Sequence, residues 1–368
     1  MFGLTKKYLT ALLLAAVTIL SCSCAEKNMV NDEEATQTDN KADVVVEIPE
    51  ETEQEEQEAP VYINPLTGLA CETDKSKVRP VTVMVNNIRE AIPQIGISEA
   101  DIVYEIIEEG GITRLLCVYS DYADIPEIGS VRSARDYFID IADAHDAIFV
   151  HAGGSKYAFA ELAIRGTNNL DGLFLGQFYR NQERRKTMAL EHTLMISGSG
   201  IASAIEEKGY RTESEAPSPL VFSEDYKKGE APASHIEVPF FVSYTTKPYA
   251  KAFADYNSET GEYLKGQYGK THIDGDDGSQ LTFKNILTLS CPMNYIQGDS
   301  YGRIQVHFTG TGTGTYSVDG TCREIVWSKP SRSGAYTLYE KDGETPLELA
   351  PGKSYIAIVN TNTDITLN

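Results

Sequence analysis

The sequence has few residues of the kinds that form metal or redox sites. Its 368 residues include six cysteines, six histidines and one tryptophan. No two cysteines have the spacing of a CxxC pair, and no group of cysteines and histidines has the spacing of zinc ligands. The sequence therefore predicts neither a metal nor a cofactor.

Basic residues are also scarce. Lysine and arginine total 32 against 54 aspartate and glutamate residues, which gives a formal net charge of −22. The phosphates of DNA and RNA repel a chain of this charge, and no basic stripe along the sequence would offset that repulsion. We therefore expect no nucleic acid partner.

The chain begins with an apolar run that is too short to span a bilayer as a helix. Lys6 and Lys7 precede this run, which covers residues 8–20 and ends in Ile19-Leu20-Ser21-Cys22. The flanks are those of a signal peptide, and the last four residues resemble a bacterial lipobox. We predict a signal peptide over 1–22, lipidation of Cys22 and an extracytoplasmic protein that is lipid-anchored to the cell membrane. A secretory signal without a lipid is the alternative.

Residues 23–60 are polar and acidic. Between 25 and 60 there are thirteen acidic residues and two lysines. A segment of this composition cannot bury enough apolar surface to offset the entropy of ordering. The sequence predicts a disordered acidic tether here.

Two folded domains are predicted after the tether, over 61–211 and 236–368, with a linker over 212–235. The first mixes β-prone and helical patterns, which indicates an α+β or mixed α/β domain with a mixed sheet. The second contains short β-prone runs separated by glycine turns, which indicates a mainly antiparallel β-rich domain. These runs are 238–244, 250–256, 281–289, 303–309, 314–318, 323–328, 335–339 and 354–359.

The first domain contains a predicted hairpin and two predicted helices. Two β-prone runs in 101–120 meet at Gly110-Gly111, which suits a tight turn; a helix over 99–109 ended by these glycines is the alternative. Apolar residues at helical spacing predict a helix over 133–144 with Ser133 as its N-cap. A strand over 146–150 and a helix over 155–164 follow.

The segment 128–156 holds the candidate binding residues. A buried strand, a glycine loop and a helix start follow one another there, so backbone N–H groups can approach an anion. Arginine offers forked donors to a carboxylate or a phosphate. The predicted ligand-binding residues are Arg114, Arg132, Arg135, His151, Gly153, Gly154 and Ser155. A basic loop from Arg180 to Lys186 is a secondary candidate for the rim of the site.

Other interpretations of these residues stay open. The arginines could pair with Glu105, Glu108 or Asp136, and His151 could be a buried structural histidine. An envelope hydrolase could use Ser133 or Ser155 as nucleophile and His151 as base, with Asp146 or Asp171 orienting the histidine. Neither serine lies in a G-x-S-x-G motif, so we name no catalytic residue and favour binding.

Three features of the second domain favour structural roles. Asn285 stands where a calcium loop starting at Asp274 would need its glutamate, so a β-turn is expected. Residues 309–315, TGTGTGT, lack the lysine of a phosphate-binding loop and predict a flexible hairpin. Cys291 and Cys322 could form a disulfide. In the first domain, Cys71 and Cys117 could pair or stay free, and Cys117 lies in an apolar run typical of a core.

Several short motifs together resemble the YerB-like family of bacterial lipoproteins, with similarity across nearly all of 61–365. The motifs are Asn64–Gly68, Arg79–Val81, Ala100–Glu105, Glu109–Arg114, Val131–Arg135 and His151–Ser155. The resemblance implies an N-terminal and a C-terminal domain of unknown function behind a lipoprotein signal. The chain departs from the family pattern at three positions: Asn86 replaces an aspartate, Ser130 a proline, and Thr193 an asparagine after His192.

The residues and the resemblance lead to one functional expectation. We expect a membrane-anchored binding or accessory factor of the cell envelope, with an anion-binding cleft in the N-terminal domain. Its partner would be an anionic envelope component or an envelope protein.

Overall fold

The computed structural model describes residues 61–243, 249–361 and 363–368. The predicted signal peptide, the lipidation site Cys22 and the predicted tether lie outside the described residues. Residues from Ala59 to Asn368 form one compact unit. Within the described part of the chain, no helix is both long enough and apolar enough to cross a membrane.

The described residues form three α-helices, four short 3-10 helices and many short strands. The α-helices are α1 (Asp136–Ala144), α2 (Lys156–Arg165) and α3 (Gly198–Lys208), and the 3-10 helices are Arg89–Ala91, Glu109–Gly111, Arg184–Lys186 and Leu190–His192. The strands of the first half are β1 (Tyr62–Ile63), β2 (Ala70–Cys71), β3 (Val81–Asn86), β4 (Ile102–Ile107), β5 (Thr113–Tyr119), β6 (Ile128–Gly129), β7 (Ile148–His151), β8 (Asn169–Asp171), β9 (Tyr179–Arg180) and β10 (Leu194–Ile196).

The strands of the second half are mostly connected by short turns. They are β11 (Val221–Phe222), β12 (Ala231–Pro232), β13 (His235–Phe240), β14 (Ala250–Asn257), β15 (Glu262–Gln267), β16 (Lys270–Thr271), β17 (Thr282–Phe283), β18 (Asn285–Cys291), β19 (Met293–Tyr295), β20 (Ile304–Val306), β21 (Gly310–Val318), β22 (Thr321–Lys329), β23 (Thr337–Glu340), β24 (Glu348–Leu349), β25 (Ser354–Asn360) and β26 (Thr366–Leu367).

An eleven-stranded mixed sheet forms the centre of the molecule. Its order is β12-β22-β21-β18-β25-β4-β5-β3-β7-β8, with β23 paired to β22. Strands β3, β7 and β8 run parallel to one another, as do β18, β25 and β4. Every residue of β3, β4, β5 and β25 is buried, which explains their nearly continuous apolar sequences.

A second sheet of six antiparallel strands packs in the same hydrophobic core. It has the order β16-β15-β14-β13-β26, with β17 paired to β15. Along β13 and most of β14, buried residues alternate with half-buried ones, as expected for a sheet with one covered face. A three-stranded sheet, β6-β10-β9, lies in the first half of the chain.

The predicted fold class is confirmed: a mixed sheet dominates the first half, and antiparallel pairing dominates the second. Strand β25, from the second half, lies between β18 and β4 in the central sheet. One sheet therefore runs through both halves of the unit. The division into domains 61–211 and 236–368 with a linker over 212–235 stays a prediction.

Most of the predicted elements around the candidate site are present. Strands β4 and β5 pair antiparallel around Gly110-Gly111, so the hairpin is confirmed and the alternative helix over 99–109 is wrong. Helix α2 begins after Ser155, whose Oγ accepts a hydrogen bond from the Ala158 N–H. The predicted N-cap of α1 is wrong, because Arg135, not Ser133, directly precedes the first helical residue.

The predicted flexible hairpin over 309–315 is also wrong. Residues Gly310–Val318 form strand β21, which pairs on both sides with β18 and β22. A Cβ at Gly312 would lie 2.5 Å from the Trp327 ring, and one at Gly314 would lie 2.1 Å from the Thr288 carbonyl oxygen. Glycine is therefore required here for close packing within a sheet rather than for a flexible turn.

The cysteines of the described residues are all free. Cys291 and Cys322, for which the sequence allowed a disulfide, are buried and unbonded. Cys117 is a buried core residue, as predicted, and burial raises its pKa to about 12. Asp274 has a structural role. Its carboxylate accepts hydrogen bonds from the Gly96 N–H at 3.1 Å and the Ser98 N–H at 2.8 Å, which hold the 96–98 loop in place.

A buried ion pair joins the central sheet to the second sheet. Lys265 of β15 lies 3.3 Å from a carboxylate oxygen of Glu105 of β4, and both side chains are at most 1% exposed. The Lys265 ammonium also donates to Gln267 Oε1 at 2.7 Å and contacts His272 Nδ1 at 3.1 Å. Burial, followed by the charge of Lys265, holds the pKa of His272 well below its ordinary value.

The Glu105 carboxylate is fully hydrogen-bonded. It accepts from four polar side chains at 2.7–3.0 Å, three on the central and second sheets and one directly after β3: Thr113, Tyr355, Gln267 and Asn87. These hydrogen bonds offset part of the cost of burying the carboxylate. The pair therefore fixes the position of the second sheet against the first.

We predict that Lys265→Met lowers the free energy of unfolding by about 3–5 kcal/mol, because it leaves the Glu105 charge buried without its cation. Chemical denaturation measures this change. Lys341→Met is the matched control, since Lys341 pairs with Glu324 at the surface, and it should leave the unfolding free energy nearly unchanged. Equal stability of the two variants would contradict the role given to the buried pair.

Candidate functional site

The candidate residues lie at one edge of the central sheet. Strands β3, β7 and β8 are parallel and end at Asn86, His151 and Asp171. In open sheets with parallel strands, ligands commonly bind outside the carboxyl ends of the strands. We call this region the carboxyl edge.

The segment 130–134 crosses the carboxyl edge between β3 and β7. The Arg132 N–H donates to the Met84 carbonyl at 2.9 Å, and the Ala152 N–H donates to the Arg132 carbonyl at 3.0 Å. The Ala134 N–H donates to the Gly153 carbonyl at 2.9 Å. The segment that carries the arginines is therefore fixed to both strands by its backbone.

Two of the three predicted arginines are paired with carboxylates inside the protein. Arg114 Nε lies 2.9 Å and Arg135 Nη2 lies 3.2 Å from the same Glu108 carboxylate oxygen. Arg135 also forms a two-point pair with Glu109, in which its Nε donates at 2.9 Å. Arg114 donates a further hydrogen bond to the Ser133 carbonyl. These guanidinium groups hold the β4–β5 hairpin against the start of α1.

The pKa values of this cluster follow from burial and charge. Burial lowers the pKa of Arg114 to about 10, although Glu108 acts against this shift. Burial also raises the pKa of Glu108, with Arg114 and Arg135 opposing it. For Arg135, burial is outweighed by the hydrogen bonds and charges of Glu109 and Glu108, so its pKa is raised. A basic residue at a helix start opposes the helix dipole, and here internal carboxylates relieve that conflict.

The histidine and the glycine loop have internal hydrogen-bond partners as well. The two ring nitrogens of His151 contact the Gly153 carbonyl oxygen at 2.9 Å and Asn169 Oδ1 at 3.1 Å. The Gly153 N–H donates to the Asp171 carboxylate at 2.8 Å. Ser155 Oγ serves as the helix cap described above. These residues shape the carboxyl edge, and their predicted contact with a ligand stays a prediction.

Arg132 differs from the other two arginines. Its side chain is half-buried, and its Nη1 has one long contact of 3.4 Å, to the Glu191 carbonyl oxygen. Its buried Nε has no hydrogen-bond partner, and no carboxylate of the described residues pairs with the guanidinium. Arg132 is thus the predicted site arginine whose donors the described residues leave largely unused.

A second arginine approaches Arg132 through the three-stranded sheet. The Val131 N–H donates to the Leu194 carbonyl at 2.7 Å, and Leu194 is in register with Arg180 on the neighbouring strand. Arg180 Nη1 donates to the Leu190 carbonyl at 2.7 Å, next to the carbonyl that Arg132 contacts. Burial lowers the pKa of Arg180, and the charges of Arg132 and Arg185 lower it further. The secondary candidate loop therefore contributes a cation beside Arg132.

A buried histidine completes this region. Asn86 Nδ2 lies 2.9 Å from His192 Nδ1, and both residues are buried. Burial lowers the pKa of His192, and the charge of Arg132 lowers it further. The Asn86 N–H donates to the Ser130 carbonyl at 2.9 Å, and the buried Ser130 Oγ has no hydrogen-bond partner in the part of the chain that the structure describes. Asn86 and Ser130, where the chain departs from the family pattern, are thus neighbours.

His192 was not among the predicted ligand-binding residues, and Arg180 was predicted only as part of the basic loop at the rim of the site. His192 had no local signal, because its contact with Asn86 joins residues 106 positions apart.

We predict that Arg132→Ala raises the pKa of His192, because it removes a nearby positive charge that favours the neutral ring. Glu191→Gln should lower the same pKa, since the Glu191 carboxylate lies 3.9 Å from His192 Nε2 and favours the protonated ring. NMR titration of the ring protons measures both shifts. Shifts of the same sign in the two variants would contradict this placement.

Comparisons with known proteins agree with the resemblance noted in the sequence. A family model described as "Protein of unknown function (DUF3048) N-terminal domain" matches residues 66–211, and the model of the corresponding C-terminal domain matches 240–356. The chain is 30% identical over 356 residues to "Putative lipoprotein YerB" of Bacillus subtilis (strain 168), covering 96% of each chain.

A solved structure is similar as well. The crystal structure of the YerB protein from Bacillus subtilis matches with a TM-score of 0.71 and 31% identity, over 83% of this chain and 99% of that chain. The two domain matches, the relative and the shared fold lead to one conclusion: this chain belongs to the YerB-like family, whose two domains are of unknown function.

Proposed function

We propose that the protein is a lipid-anchored extracytoplasmic binding or accessory factor of the cell envelope, which binds a carboxylate or a phosphate at Arg132. The lipid anchor is supported by the lipobox-like sequence at Cys22 and by the name of the Bacillus subtilis relative. The observation that carries the binding function is the guanidinium of Arg132 at the carboxyl edge, which has no carboxylate partner and an unbonded Nε among the described residues.

Electrostatics favour an anion at this position. Arg132 and Arg180 contact neighbouring carbonyl groups of one turn, so their two positive charges repel each other there. An anion between them would relieve that repulsion and give Arg132 Nε an acceptor. Arg114 and Arg135 would stay with Glu108 and position the segment that carries Arg132.

The alternative hydrolase lacks the contact that its mechanism needs. Its proposed base, His151, has both ring nitrogens next to the Gly153 carbonyl and the Asn169 side chain. The Asp171 carboxylate accepts backbone N–H groups instead of orienting the histidine. Ser155 Oγ accepts from the helix backbone. The described geometry therefore favours binding over nucleophilic catalysis.

The test is a thermal-shift titration with inorganic phosphate, glycerol phosphate, acetate and soluble cell-wall fragments. A ligand at tenfold its Kd should stabilise the wild type by about 1.4 kcal/mol, and Arg132→Ala should lose this stabilisation. Arg132→Lys should retain part of this stabilisation, because lysine keeps the positive charge but lacks the two parallel N–H donors of a guanidinium. Lys270→Ala, at the exposed strand β16, is the control that should behave as wild type.

A separate outcome concerns Arg135. Because Arg135 pairs with Glu108 and Glu109, Arg135→Ala should lower the melting temperature without any ligand. An anion response that survives Arg132→Ala, or that Lys270→Ala removes equally, would overturn the proposed site.

A further inference from the structure

An ordered turn beside the glycine loop exposes large apolar side chains. Leu173 is 59% exposed and Phe174 is 81% exposed. The turn is fixed by Asp171, whose carboxylate accepts from the Leu173 N–H at 3.0 Å and from the Gly153 N–H at 2.8 Å. The Phe174 N–H donates to the Asp171 carbonyl at 3.0 Å. These apolar groups are therefore presented on a fixed backbone, which lowers the entropy cost of binding through them.

The exposed turn adjoins the arginine cluster. A Cβ at Gly153 would lie 2.8 Å from Leu173 Cδ1, and one at Gly154 would lie 3.5 Å from Phe159 Cζ. Phe159 is also exposed, and the residue before the glycines is hydrogen-bonded to the Arg132 backbone. Leu173 and Phe174 follow β8, and Arg132 lies between β3 and β7, so these residues share the carboxyl edge, with Arg180 beside Arg132. We call these residues the docking face: Phe159, Leu173, Phe174, Arg132 and Arg180.

The docking face carries arginines that are not neutralised by ion pairs. The chain has a formal net charge of −22, yet Arg132 and Arg180 have no carboxylate partner among the described residues. Guanidinium groups beside exposed Leu and Phe match an anionic bilayer, whose surface offers phosphates above an apolar layer.

We propose that the docking face binds the surface of an anionic lipid bilayer. Leu173 and Phe174 insert at the boundary between headgroups and acyl chains, and the arginines contact lipid phosphates. The proposal rests on the proposed function in one respect, since Arg132 is the same anion-binding residue. It goes beyond that function in naming the membrane surface as the partner and the 171–175 turn as the inserting element.

Vesicle flotation tests the proposal with protein that starts at Ala59 and so carries no lipid anchor. That protein contains the compact unit Ala59–Asn368, and the crystallised relative matches 83% of this chain over 99% of its own length. The probes are phosphatidylcholine vesicles with and without about one-third phosphatidylglycerol. We expect binding to the anionic vesicles alone, and weaker binding at high salt.

Two matched variants distinguish binding through the docking face from nonspecific binding through any exposed apolar side chain. Leu173→Ser/Phe174→Ser should weaken vesicle binding by roughly tenfold or more. Ile164→Ser removes a side chain that is 80% exposed at the other end of α2, and it should leave vesicle binding unchanged. Equal losses in the two variants, or no vesicle binding by the wild type, would overturn the proposal.

The same proteins distinguish this proposal from the anion site. If Arg132-dependent stabilisation by inorganic phosphate persists while anionic vesicles are not bound, the proposed function stands and membrane docking is wrong. Self-association that depends on Phe174 without any vesicle binding would assign the face to a second copy of the chain, which also overturns membrane docking. Vesicle binding that Arg132→Ala and Leu173→Ser/Phe174→Ser each weaken would support both proposals.

Discussion

The ion pair between Glu105 and Lys265 is the constraint on which the rest of the structure depends. It buries two opposite charges where the second sheet meets the central sheet, and only a complete set of hydrogen bonds makes that arrangement stable. The set continues from Lys265 through His272 to Gln94 Oε1, and the Gln94 amide donates to the Asn86 carbonyl at 2.8 Å. The network that holds the two halves together therefore ends at the carboxyl edge.

The guanidinium groups at the carboxyl edge have different roles. Arg114 and Arg135 share the Glu108 carboxylate and hold the hairpin and the start of α1. Their pairing fixes the segment that carries Arg132, whose own donors remain largely unused. Arg180 approaches from the three-stranded sheet and adds a second cation. A rigid edge with one uncommitted guanidinium is suited to anion binding, because the site needs little rearrangement when a ligand arrives.

Structural features that depend on residues close together in the sequence could be predicted. The glycine pair between β4 and β5 and the Ser155 cap depend on residues a few positions apart. The pairing of Arg114 and Arg135 with Glu108 was one of several options, and choosing among them required the register of the hairpin against α1. The glycine-rich first half of β21 was predicted as a flexible hairpin, because its glycines are required by contacts with Trp327 and Thr288 across the sheet. Arg180 was undervalued because its neighbour, Arg132, lies on a different element.

We propose that Arg132, and neither Arg114 nor Arg135, binds the anion. A crystal structure of the protein grown with inorganic phosphate tests it most directly. We expect a tetrahedral anion about 3 Å from Arg132 Nε, with Arg114 and Arg135 still paired with Glu108. An anion bound instead by Arg114 or Arg135, with Glu108 displaced, would contradict it, as would an Arg132 guanidinium that contacts no phosphate at saturating concentration.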